Sequence, residues 1–168
     1  MKGFKGSVCL AVGLLLAAGA ASAQPQSSQQ QKCINKVNKA ATNVQAAQLK
    51  NNSSCIKNFV KGSTTVPVAE ACVIDDPKDK VEGKQQKVLD DESKNCIPGQ
   101  LPTFGYTAGG YAGSVAYQTG MDLIHDVFGN PVDAGLFKCD PYKPECVCQQ
   151  QVFGRVAKLT LAMGKVWL

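Results

Sequence analysis

Apolar residues in this chain recur at steps of three and four, the spacing of helix faces rather than of strands. Cys33, Val37, Ala40, Val44 and Ala47 form one such stripe, with the lysines of the segment mostly elsewhere. The run Asn51-Asn52-Ser53-Ser54 is expected to break or kink this first arm before Cys55 and Ile56 resume it. Gly62 reads as the helix stop, and Thr65 with Pro67 as the next start. A second arm, about 67 to 95, is expected to be interrupted near Asp75-Asp76-Pro77, because a residue preceding proline is pushed out of the helical region.

Beyond Cys96 the pattern changes. Pro98, Pro102 and five glycines between Gly105 and Gly120, interleaved with Tyr106, Tyr111 and Tyr117, predict a loop leading into a helix over about Ser114 to Phe128. Val115, Leu123, Ile124, Val127 and Phe128 are its expected buried side and Gly129 its stop. The Gly109-Gly113 spacing lies outside an apolar membrane span and carries no weight there. A last amphipathic helix has Val152, Val156, Leu159, Met163 and Val166 as the stripe expected to pack on the core, with Arg155, Lys158 and Lys165 off it.

The cysteines order these helices. Cys33, Cys55, Cys72 and Cys96 are nested around one midpoint, as expected of two disulfides stapling an antiparallel helical hairpin, Cys33 to Cys96 and Cys55 to Cys72. Cys33 and Cys55 stand 22 residues apart and Cys72 and Cys96 stand 24 apart, about 33 and 36 Å of helix, so the rungs match to within a turn. On unbroken helices the first pair would differ by only about 40° in azimuth and the second by about 120°, so the break at Pro77 or a Cys96 just past the helix end has to absorb the difference. Farther on, a turn through Asp140, Pro141 and Pro144 separates Cys139 from Cys146 and Cys148. A bridge from Cys139 to either one leaves a thiol over; the expected bridge is Cys139 to Cys148, with Cys146 free or joined between chains.

Compartment follows from the N-terminus. Lys2 and Lys5 precede an apolar run from Val8 to Ala18, and Ala21-Ser22-Ala23 forms an A-x-A site, so residues 1–23 read as a signal peptide cleaved after Ala23. Cys9 would leave with it, and no lipobox order surrounds the cleavage site. No later run approaches the roughly 20 apolar residues of a spanning helix, which predicts a soluble, exported mature chain, periplasmic or secreted, in which disulfides persist. Asn51 and Asn52 each begin an N-x-S sequon, which matters only in a eukaryotic secretory pathway.

Charge adds an asymmetry rather than a partner. The formal net charge of +5 falls to +3 without Lys2 and Lys5, too little to imply nucleic acid. Yet residues 24 to 69 carry six lysines and no acid, whereas Glu70 to Cys96 carries eight acids and five lysines.

No constellation specifies a reaction. The glycines match neither G-x-G-x-x-G nor a Walker pattern, and Ser114 lacks the G-x-S-x-G context. His125, the single histidine, stands one turn after Asp122; a metal or general-base site would use both, but a surface or capping histidine at a helix end is the expected role. Cys146-x-Cys148 would suit a redox dithiol or a metal-ligand pair only with accessible thiols, and C-x-x-C-H is absent.

The segments Cys33-Ile34-Asn35-Lys36, Cys55-Ile56-Lys57-Asn58 and Asp122-Leu123-Ile124-His125-Asp126-Val127-Phe128-Gly129 resemble a group of uncharacterised exported bacterial proteins that repeat cysteine-bearing helices. The resemblance spans most of residues 32 to 155 and implies no activity, cofactor or catalytic residue; such proteins tend to continue into further cysteine-bearing helices after the position of Arg155. The stapled hairpin also looks like the helix pairs of twin-cysteine mitochondrial proteins, whose short equal spacings are not matched here. The expected architecture is all-α: a signal peptide (1–23), a disulfide-stapled helical hairpin (24–96), and a Gly/Pro-rich loop with two C-terminal helices packing on it (97–168). The expected function is a non-catalytic structural or binding module for an unidentified protein or small ligand, with no cofactor or metal. Two alternatives stand beside it: a thiol-redox or metal-handling protein using Cys146 and Cys148, and membrane-surface binding through the last helix. A disulfide-linked homodimer is a further expectation from the odd cysteine.

Overall fold

A computed structural model describes residues 25–62, 68–76, 78–139 and 144–166, the side chains of Lys165 and Val166 excepted. Residues 1–24, which include the expected signal peptide, the stretch 63–67 between the arms, Pro77, the expected proline turn at 140–143, and Trp167 with Leu168 lie outside the described residues. The described chain is all helical, with no strand: α1 (Ser28–Val60), α2 (Ala69–Ile74), α3 (Lys80–Asn95), α4 (Gly109–Phe128), a 3₁₀ turn (Val132–Ala134) and α5 (Pro144–Val166). None of these helices is long and apolar enough to cross a membrane.

α1 starts on a capping box, in which the Ser27 hydroxyl accepts from the Gln30 amide and the Gln30 side chain accepts from the Ser27 amide. It then runs 33 residues without interruption, so the break expected at Asn51–Ser54 does not occur. The reason is that the amides there have partners elsewhere in the fold. Asn51 Nδ2 donates to the Val73 and Asp75 carbonyls at 3.3 and 2.7 Å, taking up acceptors that the end of α2 leaves unsatisfied. Asn52, fully buried, donates to the Gly120 carbonyl at 2.9 Å, and Gln48 donates to Asn52 Oδ1 and the Val73 carbonyl. Paired in this way, buried amides tie α1 to α2 and α4 at little net cost.

The second arm breaks near the position anticipated. α2 ends at Ile74, and Asp76 reaches forward to accept from the Val81 and Glu82 amides at 2.6 and 3.1 Å, capping α3. Asp79 sits in the left-handed region at φ 49° as the chain turns into α3. Two buried clusters flank this break. One joins Cys33, Val37, Ala40 and Val44 of α1 to Val81 and Val88 of α3. The larger one gathers Ile56 and Val60, Val73, Ile124 and Phe128, and Phe153 of α5, the rings of Phe128 and Phe153 lying 5.7 Å apart.

α4 begins at Gly109, a turn upstream of the expected Ser114, and its inward face is Gly109, Gly113, Gly120, Met121, Ile124 and Phe128. Val115 is 44 % exposed. A Cβ on Gly109 would stand 2.7 Å from Glu92 Oε2, and one on Gly120 would stand 2.9 Å from Gln48 Cγ. Gly109 thus lets α4 lie against α3, where Glu92 Oε1 accepts from the Gly109 amide at 2.9 Å, and Gly113 faces Val88 of the same helix at ordinary contact distance. Glu92 also accepts from the Tyr106 hydroxyl. That hydrogen bond, then burial, then the carboxylate's charge push the Tyr106 phenol up to about 12.

α5 corrects a second expectation. Its inward residues are Cys146, Phe153 and Ala157, while Val152, Leu159 and Met163 of the predicted core stripe face outward. Phe153 packs on Phe128 in the larger cluster, which holds this face of α5 inward, and the Cys139–Cys146 bond lies on the same side.

Candidate functional site

Where the second arm breaks it departs from α1 and leaves a cleft of about 900 Å³. Asn43, Ala46, Ala47, Lys50 and Ser54 line the α1 side, and Lys78, Lys80, Gly83 and Lys84 the opposite side. The small side chains of α1 keep the floor low, and the Cys55–Cys72 disulfide forms part of the wall, with Cα atoms 5.7 Å apart. Lys50, Lys78, Lys80 and Lys84 are all exposed at this rim. Among the described residues none of the four has a carboxylate within ion-pair distance; the one lysine–carboxylate pair is Lys87–Asp91, along α3. The cleft's own carboxylate, Asp76, is engaged with the α3 backbone amides. The cleft lining thus carries four lysines against one carboxylate.

The seven described cysteines are placed as three bonds and one thiol. Cys33 is joined to Cys96 and Cys55 to Cys72. The third bond is Cys139–Cys146, and Cys148 is free and exposed. The expected Cys139–Cys148 pairing with Cys146 left over is thereby reversed. Helical rotation explains the exchange: Cys146 lies on the inward face of α5, and two residues later the chain has turned through about 200°, carrying Cys148 to solvent. In this arrangement Cys146 and Cys148 do not constitute a dithiol.

His125 and Asp122 are not brought together. His125 Nε2 lies 3.0 Å from Glu70 Oε1, while Asp122 accepts from Gln118 at 2.8 Å. Glu70 Oε2 accepts from the Val132 amide, and the Asp133 carboxylate accepts from the Ala69 and Glu70 amides. These contacts lock the start of α2 to the end of α4 and the turn after it, so His125 serves packing between elements. No group of three or more metal-ligating side chains is clustered among the described residues.

Sequence reasoning did not locate the basic cleft. Its lysines come from α1, the interhelical break and α3, and only the lack of acids before Glu70 hinted at unneutralised charge. Set against protein-family models, curated proteins and solved structures, the chain matches none.

Proposed function

We propose that this chain is an exported, disulfide-stapled binding module without catalytic activity, and that it holds a small polyanionic ligand in the cleft between α1 and the broken second arm. The observation that carries this reading is the four lysines, unpaired among the described residues, around a cleft of about 900 Å³. Concave sites that converge a few charged groups on an otherwise small-residue floor are where ligands are held. The wall is cross-linked at Cys55–Cys72, so the site needs little ordering on binding. Export is supported by the A-x-A site after a short apolar run and by three disulfides, which persist in an oxidising compartment.

Titration with inorganic tripolyphosphate and, separately, citrate tests this and distinguishes a phosphate-bearing ligand from a carboxylate-bearing one. Saturable binding that weakens with added salt is expected. Lys50→Ala together with Lys84→Ala should lower the affinity by on the order of tenfold, at a fraction of a kcal/mol to about one per exposed charge. Lys36→Ala with Lys57→Ala, on exposed positions outside the cleft, should leave it unchanged. Binding that follows the second pair rather than the first, or no binding of either anion at millimolar concentration, overturns the reading.

A further inference from the structure

α1 presents a continuous basic edge to solvent. Lys32, Lys36, Lys39, Lys50, Lys57 and Lys61, the last at the helix C-cap, are all exposed. At about 100° per residue they fall within an arc of about 60°, turned away from the buried Cys33, Val37 and Val44. From Lys32 to Lys61 is 29 residues, about 44 Å of helix. The segment from 24 to 69 contains no acid, and among the described residues no carboxylate lies within ion-pair distance of any of the six. Lys32 and Lys36 stand four residues apart, as do Lys57 and Lys61, and like charges at that spacing repel. α1 carries this repulsion with nothing of its own to offset it. Between and beside the lysines stand Asn43, Ala46, Ala47 and Ser54; Asn43 and Ser54 are exposed and make no side-chain hydrogen bond to other described residues.

We infer that this edge is a docking surface for a linear anionic polysaccharide, laid along α1 with its carboxylates or sulfates against the lysines. Charge complementarity and length together identify the occupant. A row of unneutralised cations about 44 Å long is met at both ends only by an extended polyanion, not by a small one. The edge has no large apolar side chain to enter a bilayer interface, as a membrane-bound helix has. It also lacks the aromatic rings on which unpaired bases stack and the arginines that grip phosphate with two hydrogen bonds. Lysine ammoniums act as point charges toward carboxylate or sulfate, and the amide of Asn43 and the hydroxyl of Ser54 supply donors and acceptors for sugar hydroxyls. Docking replaces like-charge repulsion along α1 with contacts of opposite sign. The edge passes the rim of the lysine cleft at Lys50, but it does not require a small anion to be held there.

The full chain, titrated with polygalacturonate and, separately, with dextran sulfate, should bind saturably and more weakly as salt is added. The two titrations distinguish a carboxylate-bearing chain from a sulfate-bearing one. Lys32→Gln, Lys36→Gln, Lys57→Gln and Lys61→Gln combined in one variant should weaken polysaccharide binding by at least on the order of tenfold. Helix content by circular dichroism and tripolyphosphate affinity should both stay as they were, since none of the four lines the cleft. Lys87→Gln, Lys94→Gln, Lys138→Gln and Lys158→Gln remove as many exposed charges elsewhere and should leave polysaccharide binding in place. Equal weakening by the two variants would reduce the effect to net charge and overturn the proposal. So would a digalacturonate that binds as tightly as the polymer, or no saturable binding of either polysaccharide. Tighter binding of duplex DNA or of phosphatidylglycerol vesicles through the same four lysines would give the edge to another polyanion and likewise overturn it. Polysaccharide binding that follows the α1 lysines while tripolyphosphate does not bind upholds this surface and fells the cleft reading alone.

Discussion

The two ends of the stapled helix pair use the same covalent device to different effect. At the Cys33–Cys96 end α1 and α3 lie side by side, with Cα atoms 4.8 Å apart at the bond, and α4 comes close because Gly109 has no side chain to obstruct it. That end is closed. At the Cys55–Cys72 end the partner of α1 is the six-residue α2, the arm breaks after it, and the space beside the bond remains an open basic cleft. A disulfide therefore does not by itself dictate a sealed interface. Whether the space on the outer side of the bond fills depends on the helix beside it, even where the inner side belongs to the larger buried cluster.

The largest effect should come from the closed end. Replacing Cys33 and Cys96 together by Ala reopens a loop of 63 residues in sequence, worth about 4 kcal/mol of unfolded-state entropy, against about 3 kcal/mol for the 17-residue loop of Cys55 and Cys72. Thermal unfolding should show a drop of about 10 °C or more for the first pair and less for the second. The order inverts for tripolyphosphate affinity, which should fall more in the Cys55→Ala, Cys72→Ala protein, because that bond belongs to the cleft wall. Equal ligand affinity in the two variants would erase the distinction between the ends.

Close helix approach supplies the next contrast. Gly120→Ala drives a Cβ into Gln48, whose side chain is buried and hydrogen-bonded to Asn52 and Val73, so it cannot swing aside without losing those bonds. We expect a loss of about 1–3 kcal/mol in chemical denaturation. Gly154→Ala meets nothing within 4 Å on α5 and should instead stabilise by up to about 1 kcal/mol through helix propensity. A neutral Gly120→Ala would mean that α1 and α4 are less tightly apposed than described.

The smallest effect is the acid–phenol contact at the closed end. Tyr106 should ionise near pH 12 in a spectrophotometric titration of tyrosinate absorbance. Its folded pKa lies above the ordinary value of 10.0, so the folded state holds the proton more tightly than the unfolded one. The contribution to stability is present below about pH 10 and is lost as pH rises toward 12. Tyr106→Phe should abolish that dependence, and an unchanged pH profile in this variant would show that Glu92 does not govern the group.

Local periodicity and turn chemistry determined a good deal. The all-α class, the stripe from Cys33 to Val44 and the break near Pro77 are decided within a few residues of chain, by side-chain spacing and by the steric demand of proline. The nested spacing likewise set out the Cys33–Cys96 and Cys55–Cys72 pairs as one arrangement among those open to it. What only the tertiary structure decided are the choices between locally equivalent states. Asn51 and Asn52 continue a helix because carbonyls of α2 and α4 receive their amides. α4 turns Gly109 and Gly120 inward where Glu92 of α3 and Gln48 of α1 lie too close for a larger residue. The rotation of α5, which bonds Cys146 and frees Cys148, is settled by the packing of Phe153 and Ala157 on elements far away in the chain. The lysine cleft is the furthest from the sequence, since its charges lie in separate segments and their convergence is a property of the path between those segments rather than of any one of them.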